Sequence, residues 1–173
     1  MSAAASDPDD GDEERNEHID VEKGTSEPPL PVTVEIPRLD VDAELVALGI
    51  NDDGSMQVPG FGRAGWYANG PRPGARGPAV IAAHYDSRDG PDVFFRLATL
   101  EPGDEVRVRG ADASTVRFIV ERVEQHPKGE LPGGRIWATT DEPRLTLITC
   151  GGRFDRSKGQ YTDNVIVYTT RAD

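Results

Sequence analysis

Along this chain, apolar and polar positions alternate in short runs broken by proline and glycine, and a period of two predicts strands. Val32, Val34 and Ile36 alternate with polar neighbours and stop at Pro37. A second run, Val41 to Leu48, ends before the turn Asn51-Asp52-Asp53-Gly54. The Gly-rich passage from Gly60 to Gly77 holds Trp66, Tyr67 and the turn Pro71-Arg72-Pro73-Gly74, and reads as a long surface loop anchored by its two aromatics. Pro78 to Ala83 is a continuous run of small and β-branched residues, the pattern of a strand buried on both faces. Val93 to Leu97 with Leu100 has the spacing of a short amphipathic helical turn closing over a core. The turn Glu101-Pro102-Gly103-Asp104 introduces an alternating strand, Glu105 to Arg109, and Thr115 to Val120 with Val123 supplies its hairpin partner. Gln125 to Gly134 reads as loop, and Ile136-Trp137-Ala138 as a brief segment with Trp137 in the core. Arg144 to Thr149 is a strand bounded by Pro143 and the pair Gly151-Gly152, beyond which the chain loops as far as Gly159. Asn164 to Thr170 is a terminal strand that lies beside it through the turn at Gly159.

Seven or eight short strands, few helices and no alternation of strand with helix make the class all-β. A small closed barrel is the economical way to remove the sheet edges. The 173 residues suffice for one domain with a real core, and 14 prolines and 19 glycines fit many short elements joined by turns. Residues 1–31 carry ten acids against Arg15 and Lys23, a net of 2 − 10 = −8, which leaves −4 of the total −12 for the rest. That head has only Ile19, Val21 and Leu30 as bulky apolar residues, too little surface to offset the entropy of ordering. It reads as a disordered acidic tether over 1–31, with His18 a solvated side chain, ahead of a folded domain at 32–173. The head lacks the basic and apolar regions of a signal peptide, and no stretch approaches the ~20 apolar residues of a membrane span. A targeting segment therefore lies upstream, or the protein works in soluble form. Without clustered Lys and Arg, nucleic acid is excluded as a partner.

Candidate chemistry centres on the one cysteine, Cys150, at the end of a strand. Such a thiol is either a small buried hydrophobe or a nucleophile presented at a strand tip. His84 stands immediately after the strand that ends at Ala83, where it either satisfies a local hydrogen bond or acts as an acid and base. His126 precedes Pro127 in a stretch without a strand to fix its ring, and reads as exposed and idle. A single cysteine excludes an internal disulfide and lacks the resolving partner of a redox pair. No His, Cys and carboxylate cluster has ligand spacing, so neither metal nor cofactor is expected.

Joined together, these residues resemble a known family. Leu147-Ile148-Thr149-Cys150, the strand-end His84 upstream, an arginine shortly after the cysteine and the all-β frame are similar to the sortases, the cysteine transpeptidases of Gram-positive bacteria. Further motifs resemble the class F, or E/F, branch: Ile36-Pro37, Gly65-Trp66-Tyr67, Pro73-Gly74, Gly90-Pro91-Asp92-Val93-Phe94-Phe95-Arg96-Leu97, Thr149-Cys150-Gly151-Gly152, and Tyr161-Thr162-Asp163-Asn164-Val165. The similarity runs from about Val32 to Tyr168. It implies a closed eight-stranded β-barrel of sortase type with a few short helices. It also implies a monomer held at the outer face of the plasma membrane by an N-terminal anchor absent from this chain.

The resemblance implies a reaction as well. Cys150 attacks the Thr–Gly carbonyl of an LPXTG-type sorting signal on a secreted protein, and an amine from a cell-wall peptide precursor resolves the thioester. His84 protonates the departing amine and deprotonates the incoming one. The family's arginine stands at the start of the strand after the cysteine, a place taken here by Asn164. Arg156 is therefore expected to steady the oxyanion, with Arg153 as the alternate, against the plainer reading of a solvated loop cation. Ala83 stands where the family usually has glycine. Thr149 orients substrate or catalytic backbone, or is simply a β-former. Two other classes stay open: a redox or metal-binding thiol protein, and a sortase-like barrel that has lost catalysis and serves as a binding module.

Overall fold

Strands form where the alternating and β-branched runs stand, and eight of them close on themselves. The computed structural model describes residues 27–173; residues 1–26, including most of the expected tether and His18, lie outside the described residues. In chain order the strands are β1 (Pro31–Ile36), β2 (Val41–Leu48), β3 (Ala64–Tyr67), β4 (Gly77–Ala83), β5 (Asp86–Ser87), β6 (Gly90–Pro91), β7 (Glu105–Gly110), β8 (Thr115–Pro127), β9 (Pro143–Asp155) and β10 (Gln160–Arg171). The barrel order is β1-β2-β3-β4-β9-β10-β8-β7, closed by β7 against β1, while β5 and β6 pair with each other. Closure leaves no unpaired edge. The expected class, an eight-stranded barrel with few and short helices, is the one observed.

Inward-facing side chains fill the barrel. Phe118, Ile36, Ile81, Leu145, Leu147, Val34 and Val106 are fully buried. One end is plugged by the segment before β7, where Phe94, Leu97 and Leu100 point inward, as their spacing predicts. It winds as turns and a 3₁₀ helix, Leu97–Thr99, because three buried residues in seven positions need only one tight turn each. β4 is covered on both faces. Ala79, Ile81 and Ala83 belong to the barrel core, whereas Val80 packs outside with Ile136, Ile166 and Tyr168, beneath the short helix α1 (Gly133–Ile136).

Four local expectations are corrected. The passage from Gly60 to Gly77 is not one surface loop, because Ala64–Tyr67 is a barrel strand, parallel to β2 and antiparallel to β4. Trp66 is buried there, donating its indole N–H to the Pro71 carbonyl at 3.3 Å, and Gly65 admits Leu48, whose side chain would lie 2.3 Å from a Cβ at that position. β8 runs on to Pro127 against β10, so His126 is a strand residue paired with Asn164, its Nε2 2.8 Å from the Glu124 carboxylate. Trp137 is 44% exposed rather than core, its ring edge-on to Tyr67. Finally, the tether's last residues are held: Pro31 opens β1, and Arg72 donates to the Pro28 carbonyl at 2.8 Å and pairs with Glu27. Among the described residues no helix is long and apolar enough to cross a membrane.

Candidate active site

A parallel pairing brings Cys150 and His84 to the same cleft. β4 and β9 run side by side with Gly77 opposite Pro143 and Ala82 opposite Ile148. That constant offset of 66 carries Ala83 to Thr149 and His84 to Cys150. Adjacent strands lie about 4.8 Å apart, so the two backbones reach the same barrel rim as neighbours. A second bond fixes the pair. Buried Thr149 donates its hydroxyl to the Ala83 carbonyl at 2.7 Å, tying the residue before the cysteine to the residue before the histidine.

Both side chains line one cleft of about 510 Å³. Its walls come from Ile50, Met56 and Val58 of the β2–β3 connection, from Leu131, Ile136 and Trp137 around α1, and from Tyr67, Ala82, Ala83 and Ile148. The exposed Ile50, Val58, Leu131 and Trp137 at this rim explain an apolar surface that a closed core would not leave open. Such walls suit an extended peptide with apolar side chains. The cysteine is half-buried, neither packed into the interior nor fully in solvent.

The imidazole is held from one side. His84 Nε2 lies 2.8 Å from the Pro59 carbonyl, and Phe61 stacks on the ring with centroids 4.5 Å apart. A carbonyl can only accept, so Nε2 carries the proton and Nδ1 is the nitrogen left to take or give one. Among the described residues no hydrogen bond joins the imidazole to Sγ; the two groups face a shared space that a scissile amide can occupy.

The sulfur does have a partner, one that sequence reasoning missed. Lys128 Nζ lies 3.4 Å from Cys150 Sγ. Lys128 follows the end of β8 and is fixed by its own N–H, which donates to the Thr162 carbonyl at 2.9 Å. Thr162 is bulged out of the β9–β10 ladder between Tyr161 and Asp163, and bulges beside sites re-aim what is attached to them. The sequence carried one faint signal, a lysine before a glycine at the end of a β-run.

The two expected arginines stand elsewhere. β9 continues through Gly151 and Gly152 to Asp155, where a loop was expected, so Arg153 is on the strand and Arg156 is in the turn of the β9–β10 hairpin. Both are exposed, and among the described residues neither guanidinium has a hydrogen bond or ion pair, with the thiol or with anything else. Asn164 stands opposite Cys150 on β10, its amide spent on the Thr149 carbonyl at 3.2 Å. Beside the hairpin, Tyr161 donates to Asp86 at 2.5 Å, and that bond to a carboxylate pushes the phenol up to about 12. Among the described residues, no group of three His, Cys, Asp or Glu could hold a metal ion.

Comparison with known proteins agrees with this geometry. A family model described as the Sortase domain matches residues 34–172. Among solved structures, a lid mutant of sortase A from Corynebacterium diphtheriae superposes with a TM-score of 0.66 at 17% identity, covering 86% of this chain and 73% of that one. Sortase C from Streptococcus pneumoniae gives 0.64 at 19%, covering 83% and 69%, and sortase C1 from Streptococcus suis gives 0.64 at 17%, covering 83% and 74%. Identities this low carry the fold alone. No curated protein matches the chain.

Proposed function

The chain belongs to the sortase family, and from that premise we propose that it is a cysteine transpeptidase of the class F, or E/F, branch acting on LPXTG-type sorting signals. The observation that carries this reading is the parallel register of β4 and β9, which sets Cys150 and His84 side by side on the rim of an apolar cleft. Cys150 Sγ attacks the Thr–Gly carbonyl of the bound signal while its proton passes to His84 Nδ1. The tetrahedral intermediate collapses with loss of the amine, which takes that proton from His84, and a thioester remains. An amine of a cell-wall peptide precursor then gives up a proton to His84, attacks the thioester and frees the sulfur. Substrate leucine and proline side chains fit the walls made by Ile50, Val58, Leu131 and Trp137. Every group the reaction needs stands in one chain, in accord with a monomer. The enzyme works at the outer face of the plasma membrane, tethered by an N-terminal segment.

The class F placement rests on Gly65-Trp66-Tyr67, Thr149-Cys150-Gly151-Gly152 and the Asp163-Asn164-Val165 run. The first of these now has a structural reason, since Gly65 and Trp66 are what let β3 enter the barrel. The binding-module alternative has no observation in its favour, because thiol and imidazole are both open to the cleft. The test is peptide-library cleavage with mass detection of the acyl-enzyme. An LPXTG peptide should leave an adduct on Cys150 that Cys150→Ala abolishes, and His84→Ala should keep the fold while losing turnover by orders of magnitude. A wild-type enzyme that forms no adduct with any library peptide refutes the reading.

A further inference from the structure

The geometry points to Lys128 as the catalytic cation of this site: its ammonium stabilises the Cys150 thiolate and then the oxyanion formed on the carbonyl that the sulfur attacks. This rests on the reading of Cys150 as the nucleophile, and it moves to the residue just after β8 a role that sequence resemblance placed at Arg156 or Arg153.

Three observations carry it. Lys128 Nζ is the polar group in contact with the reacting atom, 3.4 Å from Sγ. No carboxylate among the described residues lies within ion-pair distance of that ammonium, and unlike the equally unpaired Arg153 and Arg156 it is in contact with the sulfur. A half-buried ammonium with the sulfur as its polar neighbour is placed to hold negative charge that forms on that atom. The third observation is how Lys128 gets there. β10 lies between β8 and β9, so the lysine must span two strand spacings, about 9–10 Å. Its backbone is pinned to bulged Thr162, which brings the stem over the end of β10 at the point where Asn164, opposite Cys150, has its own amide committed.

The chemistry balances without a further reagent. The thiol proton goes to His84, the sulfur lone pair forms the S–C bond, and the carbonyl π pair moves onto oxygen beside the Lys128 ammonium. Collapse returns that pair, expels the amine and passes it the proton from His84, with Lys128 protonated throughout. A flexible stem lets the ammonium follow the charge from sulfur to the oxygen, two bonds away through the carbon they share.

The experiment measures iodoacetamide alkylation of Cys150 against pH, a probe that needs no sorting signal, alongside steady-state cleavage of an LPXTG peptide. Lys128→Met should slow alkylation of Cys150 at neutral pH by about tenfold and lower kcat by about 100-fold with KM little changed. Lys128→Gln should do the same, and Lys128→Arg should restore most of both. Arg153→Ala and Arg156→Ala should leave the alkylation profile as in the wild type. The inference is overturned if Lys128→Met and Lys128→Gln, folded by circular dichroism, alkylate along the wild-type curve, or if Arg156→Ala produces the slowing instead. If the slowing appears but the wild type cleaves no LPXTG peptide, the thiolate role of Lys128 stands and the substrate assignment falls.

Discussion

Thr149→Val removes one hydroxyl and almost no volume, and it strikes the bond that ties β9 just before Cys150 to the end of β4 just before His84. The hydroxyl donates to the Ala83 carbonyl at 2.7 Å from a side chain that is 4% exposed, so water cannot replace it. Leaving a buried acceptor without its donor costs about 1–3 kcal/mol. With a urea slope of about 2 kcal/mol/M, that lowers the unfolding midpoint by roughly 0.5–1.5 M. The kinetic effect should exceed what the stability loss explains. Ala83 and Thr149 immediately precede His84 and Cys150, and a shift of about 1 Å between reacting groups can cost 100-fold. Peptide cleavage by Thr149→Val is therefore expected to fall about 10- to 100-fold at temperatures where the protein is fully folded, while Thr149→Ser, which keeps the oxygen, should stay within a few-fold of wild type. The reasoning is refuted if Thr149→Val unfolds at the wild-type urea midpoint, or if the serine and valine variants lose activity equally.

Two further predictions concern the frame. Gly65→Ala would set a Cβ 2.3 Å from the Leu48 side chain, which is itself buried, so overpacking should destabilise the barrel by about 1–3 kcal/mol in thermal or urea unfolding; an unchanged midpoint would mean that β3 does not pack so closely. On the far side of the barrel, hydrogen bonds first from Arg117 and then from Arg107 hold Glu105 down to about 2 from an ordinary 4.5. A depressed carboxylate contributes fully above its unfolded value and loses that contribution as pH falls from about 4.5 to about 2. Glu105→Gln should thus be less stable than wild type at pH 6 and nearly equal to it at pH 2, as followed by urea midpoints; a constant difference across that range would show that the pair does not titrate as described.

Much of the frame was legible because local pattern and tertiary role coincide. Val34, Ile36, Val106 and Val108 alternate in sequence and point into the barrel in fact, since a strand with one wet face must have period two. The run Pro78 to Ala83 read as doubly buried, and from Ala79 on it is buried, inside by the core and outside, at Val80, by Ile136 and Tyr168. β3 escaped notice. Four residues beginning Ala-Gly carry too little apolar pattern, and they become a strand only because Gly65 makes room for Leu48 and β2 and β4 offer ladders on both sides. Trp137 was misplaced for the converse reason: a large aromatic is ordinarily core, but here it is needed as the wall of an open cleft.

By itself, then, the sequence determined the class of fold, the strand that bears Cys150, the strand that ends just before His84, and the candidacy of both, because strand period and residue chemistry are written locally. The tertiary structure decided which strands touch. The parallel pairing of β4 with β9 joins residues 66 apart, and the placement of β10 between β8 and β9 brings Lys128 onto the sulfur while Arg153 and Arg156 ride away on an extended hairpin. Register between distant strands follows from closing the barrel as a whole, so no local window of sequence contains it.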